Sequence, residues 1–127
     1  MSGALDGVRV LDLSTLVQGP QAAAMLHDLG AEVLKIELPE IGDMGRHVGV
    51  IEELGTSVFW EACNRGKRSV TLDLRTDAGR EAFLKLVESS DVVLSNFQPG
   101  TLDGWGLGYD DLAAINPRII WAAGSFL

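Results

Sequence analysis

Four cations, Arg65, Lys67, Arg68 and Arg75, stand within the twelve residues Asn64–Arg75 of a chain whose formal net charge is −8. The same stretch contains an apolar run, Val70 to Leu74, that ends on Arg75. Cations held by a sheet in an acidic protein suit a small anionic ligand better than a long polyanion. Each of them also reads as part of a solvated turn before a strand. An arginine at a strand exit could form charge-assisted bonds to a phosphate. Arg75 therefore has two readings, a phosphate contact or an ion pair with Asp77. Arg46, in the glycine-rich Gly42-Asp43-Met44-Gly45-Arg46 loop, either meets an anion or braces its own loop.

Apolar runs define the elements that must hold these groups. Val8–Leu13, Glu32–Glu37, Ser69–Leu74, Asp91–Ser95 and Arg118–Ala123 read as five strands. Pro20 suits the first turn of a helix ending near Leu29, with Ala22, Met25, Leu26 and Leu29 on one face and Gly30 as the stop. Thr76 can cap a helix from Asp77 to about Ser89, with Ala82, Phe83, Leu86 and Val87 inward. Short helices are expected over Ser57–Cys63 and Leu107–Ala114, and residues 38–54 read as irregular. Alternating strands and helices imply an α/β fold, a Rossmann-like and mostly parallel sheet of about five strands with helices on both faces.

In open α/β sheets ligands bind beyond the carboxyl ends of the strands. Those ends are Ser14–Gly19, Leu38–Arg46, Arg75-Thr76, Asn96–Gly100 and Gly124-Ser125. By this rule Arg65, Lys67 and Arg68 precede their strand and belong to the opposite edge, whereas Arg75 stands at the ligand edge. Asn96-Phe97-Gln98-Pro99-Gly100 also reads as turn chemistry, with Asn96 in an Asx turn and Phe97 in the core. His27 lies off the apolar face of its helix, His47 sits in a loop, and Cys63, with no histidine beside it in sequence, reads as a buried structural thiol.

The composition limits the function classes. The 127 residues make one domain or part of one. One cysteine excludes an internal disulfide and suits a reducing cytoplasm. The acidic balance argues against nucleic acid, and no apolar stretch has the length of a membrane span. The sequence contains no phosphate loop of the G-x-x-x-x-G-K-[ST] type, no dinucleotide G-x-G-x-x-G after the first strand, no Cys/His zinc cluster and no G-x-S-x-G elbow.

Asn64–Arg75 resembles the asparagine–lysine–arginine–serine–strand signature of the family III coenzyme A transferases. That group includes formyl-CoA:oxalate CoA-transferase, carnitine CoA-transferase and α-methylacyl-CoA racemase. Further blocks resemble the family in order: Leu5–Leu13, Gly19-Pro20 with Leu29–Glu37, Gly42–Arg46, Asn96–Gly100 and Asn116–Ile120. The resemblance implies coenzyme A or acyl-CoA as substrate, with no permanently bound cofactor and no metal. It implies Val17 and Gln18 near the thioester arm, Leu72 and Arg75 at the nucleotide, and Asn96, Phe97 and Gln98 in the pantetheine loop. Arg46 joins these as a candidate from its loop. Formyl-CoA transferases carry arginines where this chain has Leu38 and Gly104, which leaves the acyl specificity open.

In the resembling family an aspartate attacks the acyl-CoA thioester. An enzyme–acyl anhydride and then an aspartyl-CoA thioester form before CoA passes to a second carboxylic acid. Asp12, Asp28, Asp43, Asp73 and Asp91 do not match the motif of that aspartate, which lies beyond Leu127 in the family. No catalytic residue is therefore assigned, and residues 1–127 are expected to be the N-terminal part of a CoA-binding Rossmann-like domain without a complete second domain. The expected partners are an acyl-CoA, a small carboxylic acid, and either a second interlocked copy or a complementary C-terminal chain, with apolar area exposed near Ile119–Ala123. A racemase-type enzyme portion and a non-catalytic nucleotide-binding or assembly module are the alternative readings.

Overall fold

Seven strands and five helices occur in the computed structural model, which describes residues 2–125. The strands are β1 (Arg9–Asp12), β2 (Glu32–Glu37), β3 (Val50–Ile51), β4 (Thr56–Ser57), β5 (Arg68–Thr71), β6 (Val92–Ser95) and β7 (Ile120–Ala123). The helices are α1 (Gln18–Asp28), α2 (Val58–Cys63), α3 (Asp77–Val87), α4 (Thr101–Gly104) and α5 (Tyr109–Ile115). Five strands form one parallel sheet in the order β5-β2-β1-β6-β7, and β3 and β4 make a small antiparallel hairpin. Counting only the five sheet strands in chain order, the arrangement is 3-2-1-4-5, a Rossmann order that reverses between β1 and β6.

The strand period of two divides the core. Val10, Val33 and Leu94 turn to one face and pack with Ala23 of α1. Leu11, Ile36 and Val93 turn to the other, against Phe83 and Val87 of α3 and Leu112 of α5. Thr76 caps α3, its hydroxyl accepting from Gly79 N–H at 3.1 Å. Thr76→Ala is expected to cost about 1 kcal/mol, read as a lower urea midpoint at unchanged slope; an unchanged midpoint would show that the cap contributes nothing.

Several expectations are corrected. The buried face of α1 is Gly19, Pro20, Ala23 and Ala24, while Met25 and Leu29 are 56% and 51% exposed. Small side chains let this helix lie close to the sheet: a Cβ on Gly19 would collide with the Ser14 side chain. The third sheet strand stops at Thr71 rather than Leu74 and forms an edge. Asp73 turns the chain there, its carboxylate accepting from Arg75 N–H and its carbonyl from Thr76 N–H. The stretch read as irregular contains a 3-10 turn, Met44–Arg46, and strand β3 of the hairpin. Ile119 is buried at 4% exposure, whereas Ile120 and Ala123, at the two ends of edge strand β7, are exposed. A larger set of exposed apolar side chains, including Val50, Leu54 and Val58, surrounds the hairpin. Among the described residues no helix is long and apolar enough to cross a membrane.

Candidate functional site

Charged residues interrupt the apolar strands where a parallel sheet covered on both faces should be apolar. Asp12 pairs in register with Lys35, and Glu37 follows two residues on, so all three side chains emerge on the α1 face at the carboxyl end. They are almost completely buried, at 0%, 1% and 5% exposure. The Lys35 ammonium lies 2.6 Å from Asp43 Oδ2 and 3.7 Å from Asp12 Oδ2, and donates to the Ser14 carbonyl at 2.8 Å. The Lys67 ammonium donates to Asp12 Oδ2 at 2.7 Å, to the Pro20 carbonyl at 2.8 Å and to Asn64 Oδ1 at 2.9 Å. Burial pushes Lys67 below the usual lysine range, against the pull of Asp12.

Lys67 therefore departs from the expectation that it stays at the opposite edge. Its backbone precedes β5 as expected, but its long side chain crosses the α1 face to the end of β1. Arg65 and Arg68 do remain away, paired with Asp28 and Glu32 respectively.

Glu37 organises the adjoining loop. Its carboxylate accepts two bonds from Arg46 (Nε and Nη2, both 2.8 Å), one from Ser69 Oγ (2.6 Å) and one from Asp43 N–H (2.9 Å). Burial alone would raise its pKa; the donors, led by Arg46, outweigh it and hold the carboxyl at about 2. The Arg46 guanidinium also stacks on Trp60, 3.3 Å from the ring centre. Arg46 thus braces its loop. Three carboxylates (Asp12, Glu37, Asp43) face three cations (Lys35, Lys67, Arg46), so the cluster is neutral.

The strand ends above this cluster enclose a cavity of about 360 Å³, lined mainly by apolar side chains together with Ser14, Thr15, Glu37, Asp43, Asp73 and Arg75. Leu72, Arg75 and Phe97 share it. Phe97 packs edge-on to Trp105, ring centres 5.9 Å apart. Arg75 makes a bidentate pair with Asp73, both bonds 2.8 Å, rather than with Asp77, and its side chain remains 58% exposed. This pairing pulls the Asp73 carboxyl down to about 2. Gln18 and Asn96 line a second cavity of about 280 Å³, and Gln98 joins Phe97 at a third of about 210 Å³. Val17 and Arg46 line none of the three.

Asn96 stitches the switch point of the sheet. Thr15 N–H donates to its Oδ1 (2.9 Å), and its Nδ2 donates back to the Thr15 carbonyl (2.8 Å). This spans the β1 and β6 ends, where an open α/β sheet leaves its crevice. The residues that reading for motifs missed are Asp12, Lys35, Glu37, Asp43 and Lys67. For Asp12, Lys35 and Glu37 the signal was charge at inward positions of strands that should be apolar; Asp43 and Lys67 lie outside the strands.

The chain matches the profile of CoA-transferase family III over residues 5–126. It is 46% identical over 116 residues to the succinyl-CoA–D-citramalate CoA-transferase of Chloroflexus aurantiacus, covering 91% of this chain and 29% of that protein. It is 42% identical over 123 residues to the acetyl-CoA:oxalate CoA-transferase of Acetobacter aceti, covering 97% and 31%. A crystal structure of a CAIB/BAIF family protein from Brucella suis superposes with TM-score 0.88 at 44% identity, over 97% of this chain and 33% of that one. Rv3272 from Mycobacterium tuberculosis, in its orthorhombic form, gives 0.88 and 44% over 98% and 33%. The chain thus spans about a third or less of the length of these relatives.

Proposed function

Because this chain belongs to CoA-transferase family III, we propose that it supplies the coenzyme A-binding Rossmann-like part of an enzyme that moves CoA between an acyl-CoA and a small carboxylic acid. The observation that carries this reading is the cavity of about 360 Å³ at the strand ends, where apolar walls adjoin the exposed guanidinium of Arg75. Apolar walls suit an adenine ring, and an arginine at the rim suits a phosphate. Leu72 and Arg75 then meet the nucleotide, Asn96, Phe97 and Gln98 follow the pantetheine arm, and Val17 and Gln18 stand at its thioester end. Arg46, originally a candidate contact, acts indirectly by holding Glu37 and its loop.

The attacking carboxylate is assigned to none of these residues. Asp12 and Asp43 are buried against lysines, and Glu37 is saturated with donors. Each is committed to structure rather than available as a nucleophile. The catalytic group would come from elsewhere in the working enzyme, which we take to be cytoplasmic and assembled from a second copy or a complementary chain. The exposed apolar side chains of the hairpin and of Ile120 support such an assembly.

Titration calorimetry with coenzyme A tests the reading. Arg75→Ala is expected to weaken binding about tenfold, an exposed charge-assisted contact being worth less than a buried one. Asp73→Asn, which releases Arg75 from its bidentate partner, should strengthen it. Unchanged affinity in both variants would remove Arg75 from the site, and an unaltered chain that does not bind coenzyme A would refute the function proposed for it.

A further inference from the structure

We propose that Asp43 is a positioning residue: it fixes the loop between β1 and α1 in one conformation and so sets where Val17 and Gln18 stand. The inference rests on the reading of those two residues as contacts at the thioester end. Its grounds are geometric. Leu16, at the centre of this loop, has φ of 67°, the left-handed conformation that side chains other than glycine rarely adopt. Leu16 is 41% exposed, so packing does not force that conformation. Hydrogen bonds to its own N–H and to the two residues before it do.

Asp43 Oδ1 accepts from Leu16 N–H at 2.9 Å and from Gly45 N–H at 2.7 Å. Its other oxygen faces the Lys35 ammonium, and that ammonium in turn holds the Ser14 carbonyl. Thr15 is held at both backbone groups by Asn96. Asp43 is 2% exposed and its own N–H is donated to Glu37, so the carboxylate cannot follow the loop if the loop moves. No side chain caps α1, whose N-cap is Val17. The start of that helix is therefore placed by the residues before it, and Leu16 is the one whose backbone must be held against its preference.

The test compares Asp43→Ala, Leu16→Gly and the double variant, titrating each with coenzyme A, acetyl-CoA and ADP. Coenzyme A and acetyl-CoA should bind Asp43→Ala about tenfold more weakly, the scale of one hydrogen bond to a charged acceptor. ADP, which lacks the arm that reaches the loop, should bind as before. Glycine tolerates the left-handed region, so Leu16→Gly in the Asp43→Ala background should restore most of the loss. In parallel, the Leu16 Cα and Cβ chemical shifts, which report φ, should leave their left-handed values in Asp43→Ala. If that variant does not fold, Asp43→Asn, which keeps the shape and loses the charge, should move the same shifts in the same direction.

Equal weakening of all three ligands, no weakening of any, or no rescue by glycine would overturn the inference. If the unaltered chain binds none of the ligands, the proposed function fails. The Leu16 shifts then decide the positioning role: unchanged values in both Asp43 variants overturn it, and altered values sustain it.

Discussion

Asp12→Ala is expected to destabilise the protein by about 3–5 kcal/mol, because removing one partner strands a buried charge. Asp12 is completely buried and has three partners: the Lys67 ammonium at 2.7 Å, Lys35 at 3.7 Å, and Ser14, whose backbone N–H donates at 3.0 Å and whose hydroxyl also donates. Lys35 keeps Asp43 when Asp12 is lost; Lys67 keeps only neutral acceptors. With urea slopes of about 1–3 kcal/mol/M, the midpoint should fall by roughly 1–5 M. The deficit should also depend on pH. Without Asp12 the buried Lys67 binds its proton more weakly in the folded chain than in the unfolded one. The unfolded state then holds more protons, and stability recovers as pH rises from neutral toward the ordinary lysine range. A variant within about 1 kcal/mol of the parent, or a deficit that grows with pH, would contradict this account of the cluster.

Acid should unfold the protein through Glu37. Its carboxyl titrates at about 2 in the fold, against 4.5 for an ordinary glutamate. A depressed folded pKa contributes stability that is complete above the unfolded value and is lost as pH falls through the folded one. The window therefore runs from about pH 4.5 down to about pH 2. The side chain is only 3% exposed, so solvent screening is small. The difference corresponds to about 3 kcal/mol. Glu37→Gln should lose a comparable amount at neutral pH and show a flatter stability profile across that window, measured by urea denaturation at stepped pH. An equally steep acid profile in Glu37→Gln would place the acid-labile group elsewhere. Arg46→Met should reproduce part of the loss, since Arg46 supplies two of the four bonds Glu37 accepts.

The sequence by itself determined the architecture. Short continuous apolar runs such as Val10-Leu11 and Val33-Leu34, separated by helical faces such as Phe83 and Val87, allow little besides a parallel sheet covered on both sides. The carboxyl-end rule then located Arg75 and Phe97 at one edge, the family resemblance added Leu72, and the structure gathers these three around one cavity. Motifs in chain order also carried the family. Side-chain placement was less legible. The expected apolar face of α1 was wrong because burial there follows closeness of approach, which favours Gly19, Ala23 and Ala24 over the larger Met25 and Leu29.

Only the tertiary structure decided which charges meet. Asp12 and Lys67 are separated by 55 positions and Leu16 and Asp43 by 27, and no local spacing records either pairing. Sheet register sets Asp12 beside Lys35, and a long side chain carries Lys67 across from the other end of its strand. Arg75 finds Asp73 rather than Asp77 because the chain turns at Asp73 before α3 begins. Strand and helix periods are written in neighbouring residues. Ion pairs in a buried cluster depend on distances between separate elements, which exist only once those elements have packed.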